Sequence, residues 1–511
     1  MRGPHNIWRL IRTGATFERS GAMVVALDAM QAPPRVRMAA RVLGWPFRLL
    51  GYRGDPALPP VTRAITALGP AYIKFGQVLS TRPDVVGSEL AKQLSYLQDR
   101  LPPFPLDEAK AMIEADIGQP VSALFSEFSA PVAAASIAQV HRARRADDGA
   151  EVAVKVLRPG IEAAFRRDLD AFHFAANLIE RLSPATRRLR PRDVVSHFEG
   201  TVLAELDLRL EAASASLFAQ NTAGDAGFAV PRPHWAITSK RVLTSDWAEG
   251  IPLGDVAAIR AAGHDLPALA KRILQLFLSH ALRDGFFHAD MHQGNLKIAP
   301  NGDVIAYDFG IMGQIDEYTR RVYAEILMGF IQRDYDRVAR VHFEAGYVPP
   351  DRDMAAFSRA LRAVGEPIFG AEASRISMAN LLGYLLEVTE RFGMQTRTEL
   401  ILLQRTMVVV EGVARSLDPQ LNIWSAAEPV VGNYIRDNLG PRAALRDMGR
   451  TVQMLGRYGP ILPDLLERAI RRERARDDHP EPDARRRFSW GSAGIGAAVA
   501  AGLAALIAAL A

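Results

Sequence analysis

An α+β protein of two lobes is the fold class this sequence predicts, and three observations predict it. The first is an apolar strand, Val152-Ala153-Val154-Lys155-Val156, interrupted by a single lysine. The second is a hairpin pattern over 296–307 that turns at Asn301-Gly302. The third is the region 251–470, helical in pattern apart from that hairpin, with amphipathic stretches at 268–284, 317–333 and 399–416. At 511 residues, 49% hydrophobic and 23% charged, the chain has room for a two-lobed core with appended segments and is too apolar to be disordered.

Chemistry enters with the run Gly285-Phe286-Phe287-His288-Ala289-Asp290-Met291-His292-Gln293-Gly294-Asn295 and with Asp308-Phe309-Gly310, which begins thirteen residues after Asn295. A phosphotransferase needs one carboxylate to orient or deprotonate the acceptor. It also needs an amide and a second carboxylate to hold Mg²⁺ on the phosphates of ATP or ADP. Asp290 fits the first role, and Asn295 and Asp308 fit the metal roles. The hairpin delivers Asp308 from its far end. An isolated Asp-Phe-Gly is an ordinary turn; the spacing from Asp290 and Asn295 is what gives this one meaning.

Lysine on an apolar strand is costly unless its ammonium meets an anion, so Lys155 is expected to neutralise the α/β-phosphates. A glutamate from a nearby helix should orient it. The helical segment 197–219 offers Glu199, Glu205 and Glu211, and the choice falls on Glu205 within Glu205-Leu206-Asp207. No G-x-G-x-x-G loop precedes the lysine strand. Ala133-Ala134-Ala135-Ser136 stands there instead, with N–H groups to offer phosphate but without glycine's conformational range, which predicts a stiffer lid.

With these residues in view, the chain resembles the UbiB family of atypical protein-kinase-like ATPases associated with ubiquinone biosynthesis, over residues 60–425. Lys74-Phe75-Gly76-Gln77, with Ser80-Thr81-Arg82-Pro83-Asp84 and Leu97-Gln98-Asp99, looks like that family's KxGQ element. Residues 131–143 are similar to its alanine-rich loop, Glu205-Leu206-Asp207 stands for its ExD motif, and His288-Ala289-Asp290 replaces the usual kinase His-Arg-Asp. The resemblance implies a two-lobed protein-kinase-like fold with an N-terminal helical KxGQ extension folded over the site where other kinases take a protein substrate. It implies that Lys74, with Gln77, points toward the ExD pair and the nucleotide. It further implies a hinge at 243–250, where Asp246, Trp247, Ala248 and Glu249 present backbone groups to adenine. The catalytic loop departs from the family at Met291 and Gln293, where proline is usual, and the alanine-rich loop at Ala138, where glycine is usual. None of these removes a phosphate or metal ligand.

Read as a helix, the KxGQ element carries Tyr72, Phe75 and Leu79 on one stripe and Lys74, Gln77 and Thr81 on another, so an apolar face can pack while a polar one meets water or nucleotide. His141 and His292 belong to no metal-ligand spacing and are expected to bond loop backbone. No Ala-Pro-Glu follows Asp308-Phe309-Gly310, which argues against peptide docking and activation-loop control.

Zero cysteines excludes disulfides and thiol chemistry, and a net charge of +5 without any basic-aromatic repeat argues against nucleic acid as a partner. Anionic lipid is the better candidate. Arg485-Arg486-Arg487 precedes a stretch, 491–511, without a single charge, about 21 residues and roughly 31 Å if helical, enough for one membrane crossing. Ser492/Gly496 and Ala498/Gly502 are small-xxx-small pairs of the kind that pack such a helix on another copy, so a homodimer is one expected outcome. Residues 36–50 alternate arginines with apolar side chains, which suits either an interfacial segment or a core-docking helix. The expected order is an N-terminal segment (1–60), the KxGQ extension (61–128), a kinase-like N-lobe (129–250), a helical C-lobe (251–470), a charged tether (471–489) and a transmembrane anchor (490–511). The catalytic body is placed on the cytoplasmic side, at the inner membrane if the source is bacterial.

The expected function is therefore a membrane-anchored, Mg²⁺-dependent ATPase supporting ubiquinone biosynthesis, with quinone intermediates or enzymes as partners. A kinase acting on lipid, small molecule or protein is one alternative, and a nucleotide-sensing scaffold without catalysis is another.

Overall fold

The structure, a computed structural model, describes residues 4–29, 45–80, 102–182, 191–370 and 398–440, with a few positions between them. The segments expected to form a tether (471–489) and an anchor (490–511), and most of 81–101, lie outside the described residues. Among the described residues, no helix is long and apolar enough to cross a membrane.

Two compact units emerge, and they interleave along the chain. Among the described residues, the first comprises those up to Ala212 together with Pro233–Trp247, and the second comprises Ala213–Arg232 and those from Ala248 to Gly440.

In the first unit, helices α1 (Pro4–Ser20), α2 (Ala22–Ala29), α3 (Pro60–Leu68), α4 (Pro70–Ser80) and α5 (Leu106–Ile117) precede a four-stranded antiparallel sheet. Its strands β1 (Phe125–Ala134), β2 (Ala138–Arg145), β3 (Glu151–Leu157) and β5 (Val242–Asp246) run in the order β1-β2-β3-β5. The alternation read from sequence sets the pleat of β3. Val152, Val154 and Val156 are fully buried against Ile113 of α5, which leaves Lys155 on the opposite face. Three further helices, α6 (Ile161–Leu182), α7 (Pro191–Glu205) and the start of α8 (Leu208–Asn221), share a second core with α1 to α4.

The segment 197–219 is thus two helices and not the single one expected. The break falls at Leu206-Asp207, where Leu208 donates its N–H to the Lys240 carbonyl (2.9 Å) and Asp207 accepts from the Arg209 N–H (3.2 Å). The apolar stripe of the KxGQ helix packs as its spacing suggests. Tyr72 and Leu79 are buried, and Phe75 stacks on Phe172 and meets the edge of Phe198, each with centroids 5.0 Å apart. Gly76 lets Leu97 approach closely there, since a Cβ would lie 2.4 Å from Leu97 Cδ1. The 36–50 segment is described mainly at its end, a 3₁₀ turn over Trp45–Leu50 with Leu49 exposed.

The second unit holds a small sheet of β4 (Phe228–Ala229), β6 (Ile251–Pro252), β8 (Leu296–Ile298) and β9 (Val304–Ala306), and a two-stranded pair of β7 (Phe286–His288) with β10 (Met312–Gln314). Around them pack α9 (Val256–Ala261), α10 (Leu266–Ser279), α11 (Glu317–Ile331), α12 (Tyr335–Glu344), α13 (Met354–Gly370), α14 (Thr398–Leu417) and α15 (Ile423–Leu439). Asp side chains cap several of these helices, as Asp265 does for α10 and Asp316 for α11. α10 runs into one π-helical turn, His280–Asp284, and Gly285 ends it with φ of 66°, a conformation only glycine adopts without strain. The chain is thereby turned into β7 and the catalytic run.

Candidate active site

On the polar face of β3, Lys155 Nζ donates to both carboxylate oxygens of Glu211, at 2.7 and 2.8 Å. This corrects the expected partner. Glu205 closes α7 and instead meets Lys74 of the KxGQ helix at 3.0 Å, with both side chains nearly buried. The break between α7 and α8 puts the two glutamates on different helices, with Glu211 against Lys155 and Glu205 against Lys74. Gln77 donates to the Leu97 carbonyl at 3.4 Å, which ties the KxGQ helix to the segment after it.

The alanine-rich loop is a tight reversal between β1 and β2. Ala133 and Ala134 sit in the ladder opposite Val140 and Gln139. Ala135 gives its N–H to the Ala138 carbonyl (2.8 Å) and accepts from Arg158 Nε (3.0 Å). Much of its backbone is therefore already engaged, while the buried hydroxyl of Ser136 has no hydrogen-bond partner among the described residues. His141 lies beneath, its Nδ1 2.9 Å from the Ser129 carbonyl and its ring stacked on Phe128; burial lowers its pKa against that backbone bond. In the hinge segment the Asp246 carboxylate meets His234 Nε2 at 2.8 Å, and Trp247 donates its N–H to the Glu151 carbonyl at 3.1 Å. Asp246 and Trp247 thus brace the end of the sheet.

The second unit carries the catalytic loop. His288 is buried, and its Nδ1 accepts the Asp290 N–H at 3.1 Å; burial lowers its pKa, against the opposing charges of Asp308 and Asp290. The imidazole is therefore a neutral prop under the Asp290 backbone. His292 accepts the Gly294 N–H on Nδ1 at 2.9 Å and places Nε2 3.7 Å from Asp290 Oδ2. Asn295 donates from Nδ2 to the Asp290 carbonyl at 3.0 Å and lies 3.5 Å from Asp290 Oδ2. With its nitrogen committed inward, its Oδ1 is the atom available to a cation.

Hairpin register brings Asp308 to the same place. Leu296 pairs with Ala306, and the Tyr307 N–H reaches the Asn295 carbonyl at 3.3 Å, so the residue before β8 and the residues after β9 lie side by side. Asp308 Oδ1 accepts the Gly310 N–H at 3.1 Å, and the Phe309 ring is buried 5.6 Å from that of His288. Further back along the same hairpin, Lys297 donates to the Ala248 carbonyl at 2.8 Å.

Comparison with known proteins agrees with this geometry. The ABC1 atypical kinase-like domain matches residues 96–342, and the UbiB helical domain matches residues 361–422. A protein named "Probable protein kinase UbiB" from Xanthomonas euvesicatoria pv. vesicatoria is 40% identical over 421 residues, covering 80% of this chain and 76% of the relative. One of the same name from Marinobacter nauticus is 40% identical over 412 residues, covering 80% and 75%. The chain belongs to the UbiB family. Among solved structures, the complex of Rv3197 with erythromycin from Mycobacterium tuberculosis is similar in fold, with a TM-score of 0.51 and 25% identity over 70% of this chain and 90% of that one.

The UbiB helical domain supplies what sequence reasoning missed. Thr406 on α14 is fully buried and donates to the Ala289 carbonyl at 3.1 Å, one residue before Asp290. Gln293 donates to Ser416 Oγ at 2.9 Å. Met291 is buried in the same core as Met407 and Val410. The two positions where this UbiB-family loop lacks proline are thus held by a hydrogen bond and by burial. The one signal in sequence was Gln404-Arg405-Thr406, a polar interruption of the apolar run 400–410.

Proposed function

We propose that this UbiB-family kinase-fold protein is a membrane-anchored, Mg²⁺-dependent ATPase acting in support of ubiquinone biosynthesis. The observation that carries the ATPase reading is the Lys74–Glu205 ion pair at 3.0 Å. It spends the KxGQ lysine on a glutamate six residues before the partner of Lys155, as suits an extension that governs nucleotide and not one that admits peptide. The missing Ala-Pro-Glu after Gly310 points the same way.

In this reading Lys155, held by Glu211, engages the α/β-phosphates, and Ser136 offers its unpartnered hydroxyl to the phosphate chain. Asp290 orients a water molecule in line with the γ-phosphate and receives its proton. Asn295 Oδ1 and the Asp308 carboxylate suit Mg²⁺, a hard cation that takes few protein oxygens and shares the rest of its shell with phosphate and water. The metal would neutralise charge on the phosphates when bound. Two side-chain ligands fit that pattern better than an all-protein cage, and among the described residues no cluster of three His, Asp or Glu side chains offers one.

Membrane attachment rests on the uncharged stretch 491–511 behind Arg485-Arg486-Arg487, and the quinone assignment rests on the family. The relatives' names favour a second reading, a kinase with an acceptor other than water.

One experiment separates these. Purified protein in anionic liposomes containing a quinone precursor receives γ-labelled Mg-ATP, wild type beside Asp290→Asn. Label released as inorganic phosphate by the wild type alone supports the ATPase. Label on lipid or protein replaces it with a kinase, and nucleotide binding without turnover leaves a scaffold.

A further inference from the structure

Helix α1 is fastened to the first unit by one of its faces. Leu10 and Phe17 are buried, the Thr13 hydroxyl lies 2.7 Å from that of Tyr72, and Arg9 pairs with Asp168 of α6. On a period of 3.6 residues, Trp8 and Arg12 fall on the side opposite Leu10 and Phe17, with Ile7 flanking them. The 3₁₀ turn Trp45–Leu50 leads the chain onto that side. Gly51 sits so close to α1 that a Cβ would lie 2.3 Å from the Ala15 carbonyl oxygen, and Arg19 donates to the Gly51 carbonyl at 2.7 Å. The Tyr52 N–H reaches Thr16 Oγ1 at 3.0 Å. Arg12 Nη1 donates to the Tyr52 hydroxyl at 3.0 Å, and its guanidinium carbon stands 5.4 Å from the Tyr52 ring centroid and 5.7 Å from that of Trp8. Trp8, Arg12 and Tyr52 thus make one surface, and Leu49 and Leu50 leave the turn just before it.

Single exposed apolar side chains are ordinary, but this face gathers several. Trp8 is 45% exposed and Leu49 83%, and Ile7, Leu50 and Tyr52 are exposed as well. The two segments that build it, 4–20 and 45–54, contain Arg9, Arg12, Arg19, Arg48 and Arg53 against one acid, Glu18. Tryptophan and tyrosine suit the boundary between lipid headgroups and acyl chains, where one end of the ring is dry and the other wet, and arginine lays its stem on apolar surface while its guanidinium reaches phosphate. A second copy seated here across a two-fold axis would set arginine against arginine, whereas an anionic bilayer supplies the opposite charge.

We propose that the face built by Trp8, Arg12, Leu49, Leu50 and Tyr52 docks on an anionic membrane surface. The inference goes beyond the anchor read at 491–511, since it is carried by α1 and the 3₁₀ turn and lays the first unit itself on lipid. It also decides between the two expectations for the 36–50 segment at its described end: Leu49 and Leu50 face outward, as an interfacial segment requires and a core-docking helix does not.

The chain has no cysteine, so a single Leu49→Cys carries one environment-sensitive fluorophore at an exposed point, and Ala115→Cys, exposed on α5, carries the control. Full-length protein is reconstituted in phosphatidylcholine vesicles with or without phosphatidylglycerol, and flotation verifies that it is with the lipid. In the anionic vesicles the probe at 49 is expected to brighten about threefold or more and to be quenched by a nitroxide-labelled lipid, with most of the gain lost in neutral vesicles or at about 0.5 M salt. The probe at 115 should not respond. Trp8→Ala and Arg12→Gln, with thermal melts to confirm folding, should each cut the gain by about twofold or more. A silent probe at 49 on protein that floats with anionic vesicles overturns the proposal and leaves the anchor standing. Brightening without vesicles that grows with protein concentration gives the face to a second copy and overturns it too. Brightening on protein that alkaline carbonate strips from the vesicles supports the proposal and overturns the anchor, and protein that does not float at all overturns both.

Discussion

Lys155 and Glu211 form a two-pronged ion pair in which the ammonium lies 2.7 and 2.8 Å from the two carboxylate oxygens, while Glu205, six residues earlier, serves Lys74. Glu211→Gln should therefore loosen Lys155 and weaken ATP binding, and it should cost stability as well, by about 3 kcal/mol at most, because Lys155 is mostly shielded from water. Glu205→Gln should leave the Lys155 pair intact and release Lys74 instead. Nucleotide titration with denaturant unfolding on both variants checks this, and a larger loss of ATP affinity in Glu205→Gln would reverse the assignment.

Asn295 and Asp308 should set the metal requirement. Asn295→Ala and Asp308→Asn are expected to raise the Mg²⁺ concentration at half-maximal ATP binding by about 10-fold or more, with ATP affinity in the absence of metal little changed. Unchanged Mg²⁺ dependence in both variants would remove these residues from the metal site.

A pH prediction comes from Asp225. Burial would raise the pKa of its carboxyl, but hydrogen bonds from His280 at 3.0 Å and Arg283 at 2.6 Å outweigh burial and hold it well below the usual carboxylate range. A carboxyl depressed in the folded state contributes stability above its unfolded value, about pH 4, and loses that contribution as pH falls through the folded value. Asp225→Asn should be less stable than wild type at neutral pH, and the gap should narrow steadily below about pH 4. A gap that stays constant down to pH 2 would contradict it.

Gly76 predicts a packing effect in the KxGQ helix. Its missing Cβ would come within 2.4 Å of Leu97 Cδ1 and 3.2 Å of Ile65 Cδ1, both side-chain ends able to shift at some cost. Gly76→Ala should destabilise the first unit by about 1–3 kcal/mol, as overpacking typically does. A melting point equal to wild type would show that Leu97 yields freely.

Legibility of the site in sequence followed the range of the interactions. The β8–β9 hairpin was readable because its alternation, its turn at Asn301-Gly302 and its length are all local, and register alone then places Asp308 beside Asn295. His292 does bond loop backbone, at Gly294, as its lack of metal spacing suggested, whereas His141 meets the Ser129 carbonyl within strand β1. Glu211 was legible only as one of three glutamates, since a continuous helix over 197–219 gives no reason to prefer it. Thr406 was legible only as part of a polar break in an apolar run and not as a contact, because it reaches Ala289 across 117 positions.

The sequence by itself determined the chemistry-bearing residue types, the strand that exposes Lys155 on its polar face, the hairpin and the helical character of what surrounds it. All of these depend on periods of two or 3.6 residues and on short turns, which a chain encodes locally. Tertiary structure decided which carboxylate each lysine meets and what holds the catalytic loop where proline is missing. The break at Leu206-Asp207 is fixed by a backbone bond to Lys240, from a distant strand connection, and the loop is fixed by Gln293 on Ser416 and Thr406 on Ala289. Such pairings are chosen by the packing of separate elements into one core, and no local period records them.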